Sequence, residues 1–320
     1  MRGRLIPSVE RLGLAITTAG REHPAPYDHP ENAKRLDLIV AKLGEPQWRE
    51  RRVDLPSHRY SRQVLERIHD PSHLDRMAEF EGDDYLYFDP DTYAGPESFE
   101  ASCRVTWALL SAVDATFESG PYVSFVLGRP PGHHAGHKRS MGFCLVNHIA
   151  VAAQYALDEH GAARVAVVDF DIHHGNGTQD LFYDRADVLY VSTHQYPFYP
   201  GTGAAMEAGR ETGEGYTLNF PLPAGSDDTA VVSKYDGPIA KKIQDFQPEL
   251  ILVSAGFDAH RFDPLGGFRM TGEGFGRIGR ILKELADESC EGRLVSVLEG
   301  GYDPEGNLDS ITHYLEALID

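Results

Sequence analysis

The chain has 320 residues, 41% of them hydrophobic, which is enough for one large domain or two smaller ones with a sizeable core. Lysine and arginine total 30 against 49 aspartates and glutamates, and the net charge of −19 argues against broad binding to nucleic acids or anionic membranes. This acidity favours solubility, and it is equally compatible with attraction of a cationic substrate.

Cysteine usage and the N-terminus indicate where the chain resides. Cys103, Cys144 and Cys290 follow no CxxC spacing and suggest no disulfide framework, which is typical of a reducing compartment. Residues 1–7 carry charges but no apolar run, so we do not expect a secretory signal. Because no stretch approaches the length of a membrane span either, we expect a cytoplasmic protein.

The first third of the chain predicts short elements separated by loops. They are a strand over 12–17, a helix over 29–43 with Gly44 beyond it as a stop, a strand over 51–55, and a short helix over 63–68 that breaks and restarts at 69–74. Residues 81–96 predict an acidic loop with two prolines and two glycines. A long helix is predicted from about residue 97 to residue 118.

Strand and helix signals alternate regularly from residue 122 onward. Predicted strands cover 122–127, 164–170, 188–193, 216–220, 250–254 and 294–298, and predicted helices cover 145–160, 177–183, 229–246, 272–289 and 307–319. This alternation predicts one mostly parallel sheet covered by helices. No linker, repeat or low-complexity segment interrupts the pattern, so we expect a single domain over residues 1–320.

The chain is organised around residues 165–177, where an apolar strand ends in a cluster of aspartates, histidines and glycines. Asp171 and His173 lie two residues apart, so in an extended backbone their side chains point the same way. One carboxylate oxygen and one imidazole nitrogen make half of a zinc site. Polar groups also follow other predicted strands, at 129–134, 194, 258–260 and 302–303. Because ligands bind at the carboxyl edge of parallel sheets, these strand ends predict one functional site.

Six short motifs occur in order along the chain: 129–135 (RPPGHHA), 142–145 (GFCL), 168–179 (VDFDIHHGNGTQ), 199–203 (YPGTG), 254–260 (SAGFDAH) and 299–302 (EGGY). Together they resemble the histone deacetylase superfamily, which includes acetylpolyamine amidohydrolases and acetoin-utilisation proteins. The resemblance runs from about His29 to the C-terminus. It implies an arginase-like α/β fold with a central, mostly parallel eight-stranded sheet and helices on both faces.

The resemblance implies a metal site. Its zinc ligands fall on Asp171, His173 and Asp258, and this set leaves a position for water and the substrate carbonyl, as a catalytic site requires. One catalytic Zn²⁺ is implied, with Fe²⁺ as an alternative in vivo. A structural K⁺ is also implied, held mostly through main-chain carbonyls at Asp169, Asp171, His173, Ser192 and Thr193. His174 is expected to pack beside the ligands rather than to bind metal.

The resemblance also implies the reacting groups. His134 matches the general base that takes a proton from the attacking water and then protonates the leaving amine, and His133 matches its electrostatic partner. Asp169 and Asn176 match the groups that orient His133 and His134, respectively. A neutral asparagine, seen in class II and many bacterial members, raises the basicity of its histidine less than an aspartate does. Tyr302 matches the donor to the oxyanion of the tetrahedral intermediate.

The substrate tunnel is implied by the same comparison. Phe143 and Tyr199 match its two aromatic walls, and Tyr199 adds a polar edge where phenylalanine is more usual. The remaining matches are Gly142 beside the first wall, Leu265 at the mouth, Asp91 at the rim as acceptor of substrate backbone amides, and Arg35 in a cavity that serves acetate release. The family pattern before Arg35 usually has arginine where this chain has Asn32.

These residues favour a zinc-dependent amidohydrolase that removes acetyl or other acyl groups from lysine side chains in proteins or peptides. An arginase-type binuclear manganese enzyme needs extra bridging carboxylates. The segments from Asp171 to His174 and from Asp258 to His260 lack them, so we discount it. A catalytically idle acyl-binding protein predicts a broken site, whereas every expected chemical group is present.

The substrate itself stays open between acylated lysine and acetylpolyamines or other small acylated amines. The 81–96 loop is shorter than in polyamine-specific members, which favours acylated lysine as the substrate. It is also rich in acids that would attract a cation, namely Glu81, Asp83, Asp84, Asp89 and Asp91. A homo-oligomer is one alternative for the assembly of the chain.

Overall fold

The computed structural model describes residues 11–17, 22–26, 28–80, 82, 84–118, 120 and 122–320. The N-terminal residues considered above, together with Glu81 and Asp83 of the acidic loop, lie outside these ranges. No helix within them is both long and apolar enough to cross a bilayer.

The strands run in chain order as β1 (Leu12–Ile16), β2 (Arg52–Asp54), β3 (Leu86–Tyr87), β4 (Tyr93–Ala94), β5 (Val123–Leu127), β6 (Val165–Asp169), β7 (Val188–Gln195), β8 (Thr217–Leu222), β9 (Leu250–Ala255) and β10 (Leu294–Leu298). Eight of these strands from the described ranges form one sheet in the order β2-β1-β5-β10-β9-β6-β7-β8, with every pairing parallel. The short strands β3 and β4 form a separate antiparallel pair.

The helices are α1 (Asp37–Leu43), α2 (Pro46–Glu50), α3 (Gln63–Glu66), α4 (Pro71–Ala78), α5 (Ser98–Glu118), α6 (His148–Glu159), α7 (Asn176–Phe182), α8 (Asp228–Lys234), α9 (Ala240–Phe246), α10 (Gly272–Ser289) and α11 (Pro304–Ile319). They cover both faces of the sheet. On β6, Val165 and Val167 pack into the core shared with α3 to α7, whereas Ala166 and Val168 pack into the core shared with α1 and α8 to α11. Burial on both faces explains why the central strands are continuous apolar runs.

The predicted fold class is therefore confirmed: an eight-stranded parallel sheet lies between two helical layers. Several boundaries differ for local reasons. The predicted helix over 229–246 is divided by a π turn at Tyr235–Ile239, which contains Pro238 and so lacks one helical N–H donor. The last helix begins at Pro304 rather than Asn307, because Asp303 caps it by accepting the Gly306 N–H at 2.6 Å.

Other differences concern short elements. The helix expected from residue 29 begins as a 3₁₀ turn at Ala33–Leu36 and becomes α-helical only at α1. The helix expected from residue 145 begins at His148, because Asn147 caps it. Helix α2 and the β3–β4 pair were not predicted, since a five-residue helix after a glycine and strands of two residues leave no periodic pattern. Strand β7 extends to Gln195, so His194 lies within the strand rather than after it.

Candidate active site and metal centre

The predicted metal ligands and reacting groups meet at the carboxyl edge of the four neighbouring strands β5, β10, β9 and β6. The loop after β5 carries the paired histidines, the loop after β6 carries the Asp-x-His segment, and the loops after β9 and β10 carry Asp258 and Tyr302. At the end of β6, Asp169 lies in register with Ser192 of β7 and Ser254 of β9. A parallel sheet therefore brings together segments that are far apart in sequence.

Asp171, His173 and Asp258 form one cluster, in which their potential ligand atoms all lie within 4.8 Å of one another. The Nδ1 atom of His173 lies 3.1 Å from Asp171 Oδ1 and 3.0 Å from Asp258 Oδ2. Backbone amides fix the other carboxylate oxygens: Gly300 N–H donates to Asp171 Oδ2 at 2.8 Å, and Ile172 N–H donates to Asp258 Oδ1 at 2.9 Å.

The chemistry of this cluster fits a divalent cation. Both carboxylates are buried, and their ion-pair partners are histidines rather than permanent cations. Burial opposes protonation of His173, but its hydrogen bonds to Asp171 and Asp258 outweigh burial and raise its pKa to about 10, so the cluster attracts positive charge. Two carboxylate oxygens and one imidazole nitrogen are donors that Zn²⁺ accepts at catalytic sites.

A glycine keeps this cluster compact. A Cβ atom at Gly300 would lie 2.1 Å from Asp258 Oδ2 and 2.6 Å from Asp171 Oδ2, which no real side chain tolerates. The loop after β10 therefore approaches the two carboxylates only because residue 300 has no side chain.

The paired histidines are oriented through their Nδ1 atoms. His133 Nδ1 lies 3.0 Å from Asp169 Oδ2, and His134 Nδ1 lies 2.8 Å from Asn176 Oδ1. Because the Asn176 oxygen accepts a hydrogen from Nδ1 of His134, the Nε2 atom of neutral His134 is left with a lone pair. The side-chain amide of Asn176 donates to Met141 Sδ at 3.4 Å, which is consistent with this orientation.

The two histidines differ in protonation. Burial opposes a charge on His133, but the carboxylates of Asp169 and Asp171 outweigh it and raise its pKa to about 10. Burial, together with repulsion from His133 and His173, holds the pKa of His134 well below its ordinary value. A cationic imidazole thus lies beside a neutral one with 4.0 Å between ring centres. Such divergence of two adjacent groups is typical of acid–base sites.

Seven predicted residues line one cavity of about 140 Å³ together with the candidate ligand His173; these are Asp91, His134, Gly142, Phe143, Tyr199, Leu265 and Tyr302. The Tyr199 ring meets His134 edge-on, with 5.3 Å between ring centres. Phe143 meets Tyr302 edge-on at 5.7 Å. The structure thus brings the predicted tunnel walls, base and oxyanion donor to one narrow space.

Tyr302 lines this cavity with its phenol protonated. Burial and the nearby Asp258 carboxylate hold the pKa of Tyr302 well above its ordinary value, so its hydroxyl is a hydrogen-bond donor at neutral pH. Arg35 supports the same loop: its guanidinium donates to the carbonyls of Glu299 and Gly301, both at 2.9 Å, and lies 5.3 Å from the Tyr302 ring centre. Its role in acetate release stays a prediction.

Two buried acids that the sequence analysis did not single out hold the loops that carry His133 and Tyr302. Glu299 Oε2 accepts the N–H groups of Gly132 at 2.6 Å and His133 at 3.1 Å, and burial raises the pKa of Glu299 to about 7. Asp263 accepts the N–H groups of Tyr302 at 2.6 Å and Leu265 at 2.9 Å. The available signals were an acid directly after a buried strand and an acid before proline.

His174 lies outside the cluster of candidate ligands, as expected. Its Nδ1 contacts Thr202 Oγ1 at 2.7 Å and its Nε2 contacts Gln179 Oε1 at 3.0 Å, so neither ring nitrogen faces the cluster. His194, which follows Ser192 in β7, is similarly tied to Ser192 Oγ at 2.9 Å and to the Gly203 carbonyl at 2.8 Å. These histidines hold the loop that carries Tyr199. The potassium site stays a prediction.

Comparison with known proteins matches most of the chain. The family model "Histone deacetylase domain" matches residues 29–318. The chain is 40% identical to histone deacetylase 10, chloroplastic, of Oryza sativa subsp. japonica (91% of this chain and 70% of that protein). It is 36% identical to a probable deacetylase of Archaeoglobus fulgidus (92% and 82%). A histone deacetylase-like amidohydrolase of Pseudomonas aeruginosa is 35% identical (87% and 74%).

A solved structure agrees with these sequence matches. The crystal structure of the HDA15 HD domain superimposes with a TM-score of 0.91 at 35% identity, covering 97% of this chain and 88% of that one. The likeness therefore extends over the whole sheet and its helical layers.

Proposed function

Because the chain belongs to the histone deacetylase family of deacetylases and amidohydrolases, we propose that it removes acetyl or related acyl groups from the side-chain amine of lysine in proteins or peptides. The observation that carries this proposal is the shared cavity of about 140 Å³, where His134, His173 and Tyr302 line the same space. A base, a candidate metal ligand and an oxyanion donor within one narrow pocket are the groups that amide hydrolysis requires.

We propose Asp171, His173 and Asp258 as the ligands of one Zn²⁺ ion, with Fe²⁺ as the alternative metal in vivo. When bound, such an ion polarises the amide carbonyl and lowers the pKa of water. The buried acidic cluster described above supports this assignment. We also propose the structural K⁺ at Asp169, Asp171, His173, Ser192 and Thr193, supported by the register that pairs the end of β6 with β7.

The proton transfers are proposed to pass through His134. Its Nε2 atom accepts a proton from water as the water oxygen bonds to the amide carbon, because Asn176 holds the ring hydrogen on Nδ1. The same Nε2 then gives that proton to the amine nitrogen as the C–N bond breaks, so the products are acetate and the free lysine amine. His133, held by Asp169, is a neighbouring positive charge that favours the anionic intermediate.

Tyr302 is proposed to stabilise the negative charge on the carbonyl oxygen. Its hydroxyl is protonated and lines the cavity, and Asp263 and Arg35 hold its loop. A fixed donor in a buried site stabilises a developing oxyanion more than water does, because the donor needs no reorganisation.

The tunnel is proposed to hold the lysine methylenes between Phe143 and Tyr199, with Leu265 at the mouth. Asp91 is exposed where the cavity opens and is proposed to accept backbone amide hydrogens of a peptide substrate. A second candidate, an acylated polyamine, is favoured by the acidic character of this rim, where Asp89 and Asp91 both lie close enough to Tyr199 to act on it electrostatically.

We propose a cytoplasmic or other reducing location, because Cys103, Cys144 and Cys290 are all buried free thiols. The net charge of −19 supports the absence of nucleic-acid and anionic-membrane partners.

A panel of substrates tests the proposal. The zinc-loaded protein should hydrolyse acetyl-lysine peptides with a kcat/KM about tenfold or more above acetylputrescine and acetylspermidine, since one or two extra hydrogen bonds at the rim give that discrimination. Higher kcat/KM for the polyamines would establish the second candidate instead. Failure on every acylated amine, with zinc and with ferrous iron, would refute the proposed activity.

A further inference from the structure

The loop between β3 and β4, residues 88–92, forms a closed turn at the mouth of the cavity; we refer to it as the rim loop. Asp89 Oδ1 accepts the N–H groups of Asp91 at 2.9 Å and Thr92 at 2.6 Å. The Phe88 N–H donates to the Thr92 carbonyl at 2.9 Å. These bonds tie the backbone of Asp91 to that of Thr92 through a single Asp89 carboxylate oxygen.

One end of the rim loop holds a tunnel wall. Thr92 is fully buried, and its Oγ1 accepts the Phe143 N–H at 3.0 Å. Phe143 has φ of 69°, a left-handed conformation that bulky residues rarely adopt and that surrounding contacts must maintain. The Thr92 hydroxyl is therefore one of the contacts that set the direction of the Phe143 ring.

A further contact to the rim loop comes from His29. The Glu31 N–H donates to His29 Nδ1 at 3.1 Å, which leaves the ring hydrogen on Nε2, and Nε2 donates to the Asp91 carbonyl at 3.1 Å. The same imidazole meets the Phe143 ring edge-on, with 4.8 Å between ring centres. One half-buried side chain thus touches both the rim residue and the tunnel wall.

We propose that His29 and Thr92 are positioning residues that couple the rim at Asp91 to the tunnel wall at Phe143. This inference rests on the proposed function, because it concerns how that site receives its substrate. His29 fixes the backbone of the residue that meets a peptide, and Thr92 fixes the wall that meets the acylated side chain. Neither residue lies among those that line the cavity, so their loss changes substrate binding rather than the chemical step.

Kinetics with two substrates test this coupling. His29→Phe keeps the ring contact with Phe143 but removes the bond to the Asp91 carbonyl, together with the acceptor of the Glu31 N–H. Its KM for an acetyl-lysine peptide should rise about three- to tenfold, the cost of about one neutral hydrogen bond, whereas the KM for a small acylated amine, which meets only the tunnel wall, should rise less, by about two- to threefold, with kcat for both substrates within about twofold of wild type. Thr92→Val should raise KM for both substrates by a similar factor, whereas Thr92→Ser should restore the wild-type KM.

A double variant and a matched control sharpen the result. In an Asp91→Ala background, His29→Phe should add little to the peptide KM, because coupled residues are non-additive. His313→Phe makes the same chemical change at a half-exposed histidine of α11 and should leave both substrates unaffected. Equal losses of kcat for both substrates in His29→Phe, or full additivity with Asp91→Ala, would overturn the coupling.

Amide hydrogen exchange gives a readout that does not depend on activity. His29→Phe should accelerate exchange both in the rim loop and in residues 141–145, and His313→Phe should do neither. Unchanged exchange at residues 141–145 in His29→Phe overturns the coupling even if the enzyme is active. A wild-type protein that hydrolyses neither substrate contradicts the proposed function, and the exchange data then decide the coupling alone.

Discussion

Replacing Asp258 by asparagine should change stability in opposite directions with and without metal. In the metal-free protein, burial and the neighbouring Asp171 carboxylate raise the pKa of Asp258 to about 6. The ordinary value is 3.8, so the group is about two pH units harder to ionise in the folded chain, which corresponds to about 3 kcal/mol. At this group the folded protein binds more protons than the unfolded chain between about pH 4 and pH 6. The contribution of Asp258 to stability therefore falls as the pH rises through that window and stays low above it.

Asp258→Asn removes this charge but keeps a side-chain oxygen that can accept the Ile172 N–H. In EDTA at about pH 7.5, the variant should be more stable than wild type by about 1–3 kcal/mol, and the difference should shrink towards about pH 4. In the presence of zinc, wild type should instead be more stable than the variant. A ligand present at about 1,000 times its Kd stabilises the folded state by about 4 kcal/mol, and the variant binds zinc more weakly.

Urea denaturation with EDTA and with zinc, each at both pH values, measures these differences. Asp245→Asn is the matched control, because Asp245 pairs with Lys241 on the exposed face of α9 and should respond to neither metal nor pH in this way. A metal-free Asp258→Asn variant that is less stable than wild type at about pH 7.5 would refute the reasoning. The hydrogen bonds made by Asp258 would then outweigh its repulsion from Asp171.

The remaining predictions concern single substitutions in the site. Tyr302→Phe should lower kcat by about 10²–10³, the typical loss of one oxyanion donor, with a circular dichroism spectrum like that of wild type; activity within about threefold would exclude the role. Asn176→Asp places a carboxylate 2.8 Å from His134 Nδ1 and should move the acidic limb of the kcat/KM profile upward by about one to three pH units, because an adjacent negative charge raises the pKa of the base. An unchanged limb would contradict His134 as that base. Gly300→Ala should weaken zinc binding in competition with a chromogenic chelator, since its Cβ would lie 2.1 Å from Asp258 Oδ2; wild-type affinity would show that the loop relaxes freely.

The sequence predicted the sheet because its signals are local. Apolar runs such as 165–168 alternate with amphipathic helices, and the polar residues that follow them meet at one edge by the geometry of parallel strands. The structure brings Asp171, His173 and Asp258 together as the resemblance implied. These predictions depend on residue types, such as aspartate and histidine, whose chemistry can be inferred from the sequence alone.

The supporting residues were not predictable in the same way, because their partners are distant. Glu299 accepts the N–H of Gly132, which lies 167 residues away in the sequence, and Asp263 accepts the N–H of Tyr302, which lies 39 residues away. A buried acid is visible in the sequence, but which backbone amide it accepts depends on how the loops pack. The π turn at Pro238 and the β3–β4 pair were missed for a different reason, since short or interrupted elements leave no periodic pattern.

Titration of zinc into the metal-free protein, with acetate release from an acetyl-lysine peptide measured at each point, tests the central claim most directly. We expect activity to rise in proportion to bound metal and to saturate at about one ion per chain, as for a catalytic site with three protein ligands. His134→Ala should bind the same amount of zinc and remain inactive. Activity that is independent of metal, or a His134→Ala variant as active as wild type, would contradict the account.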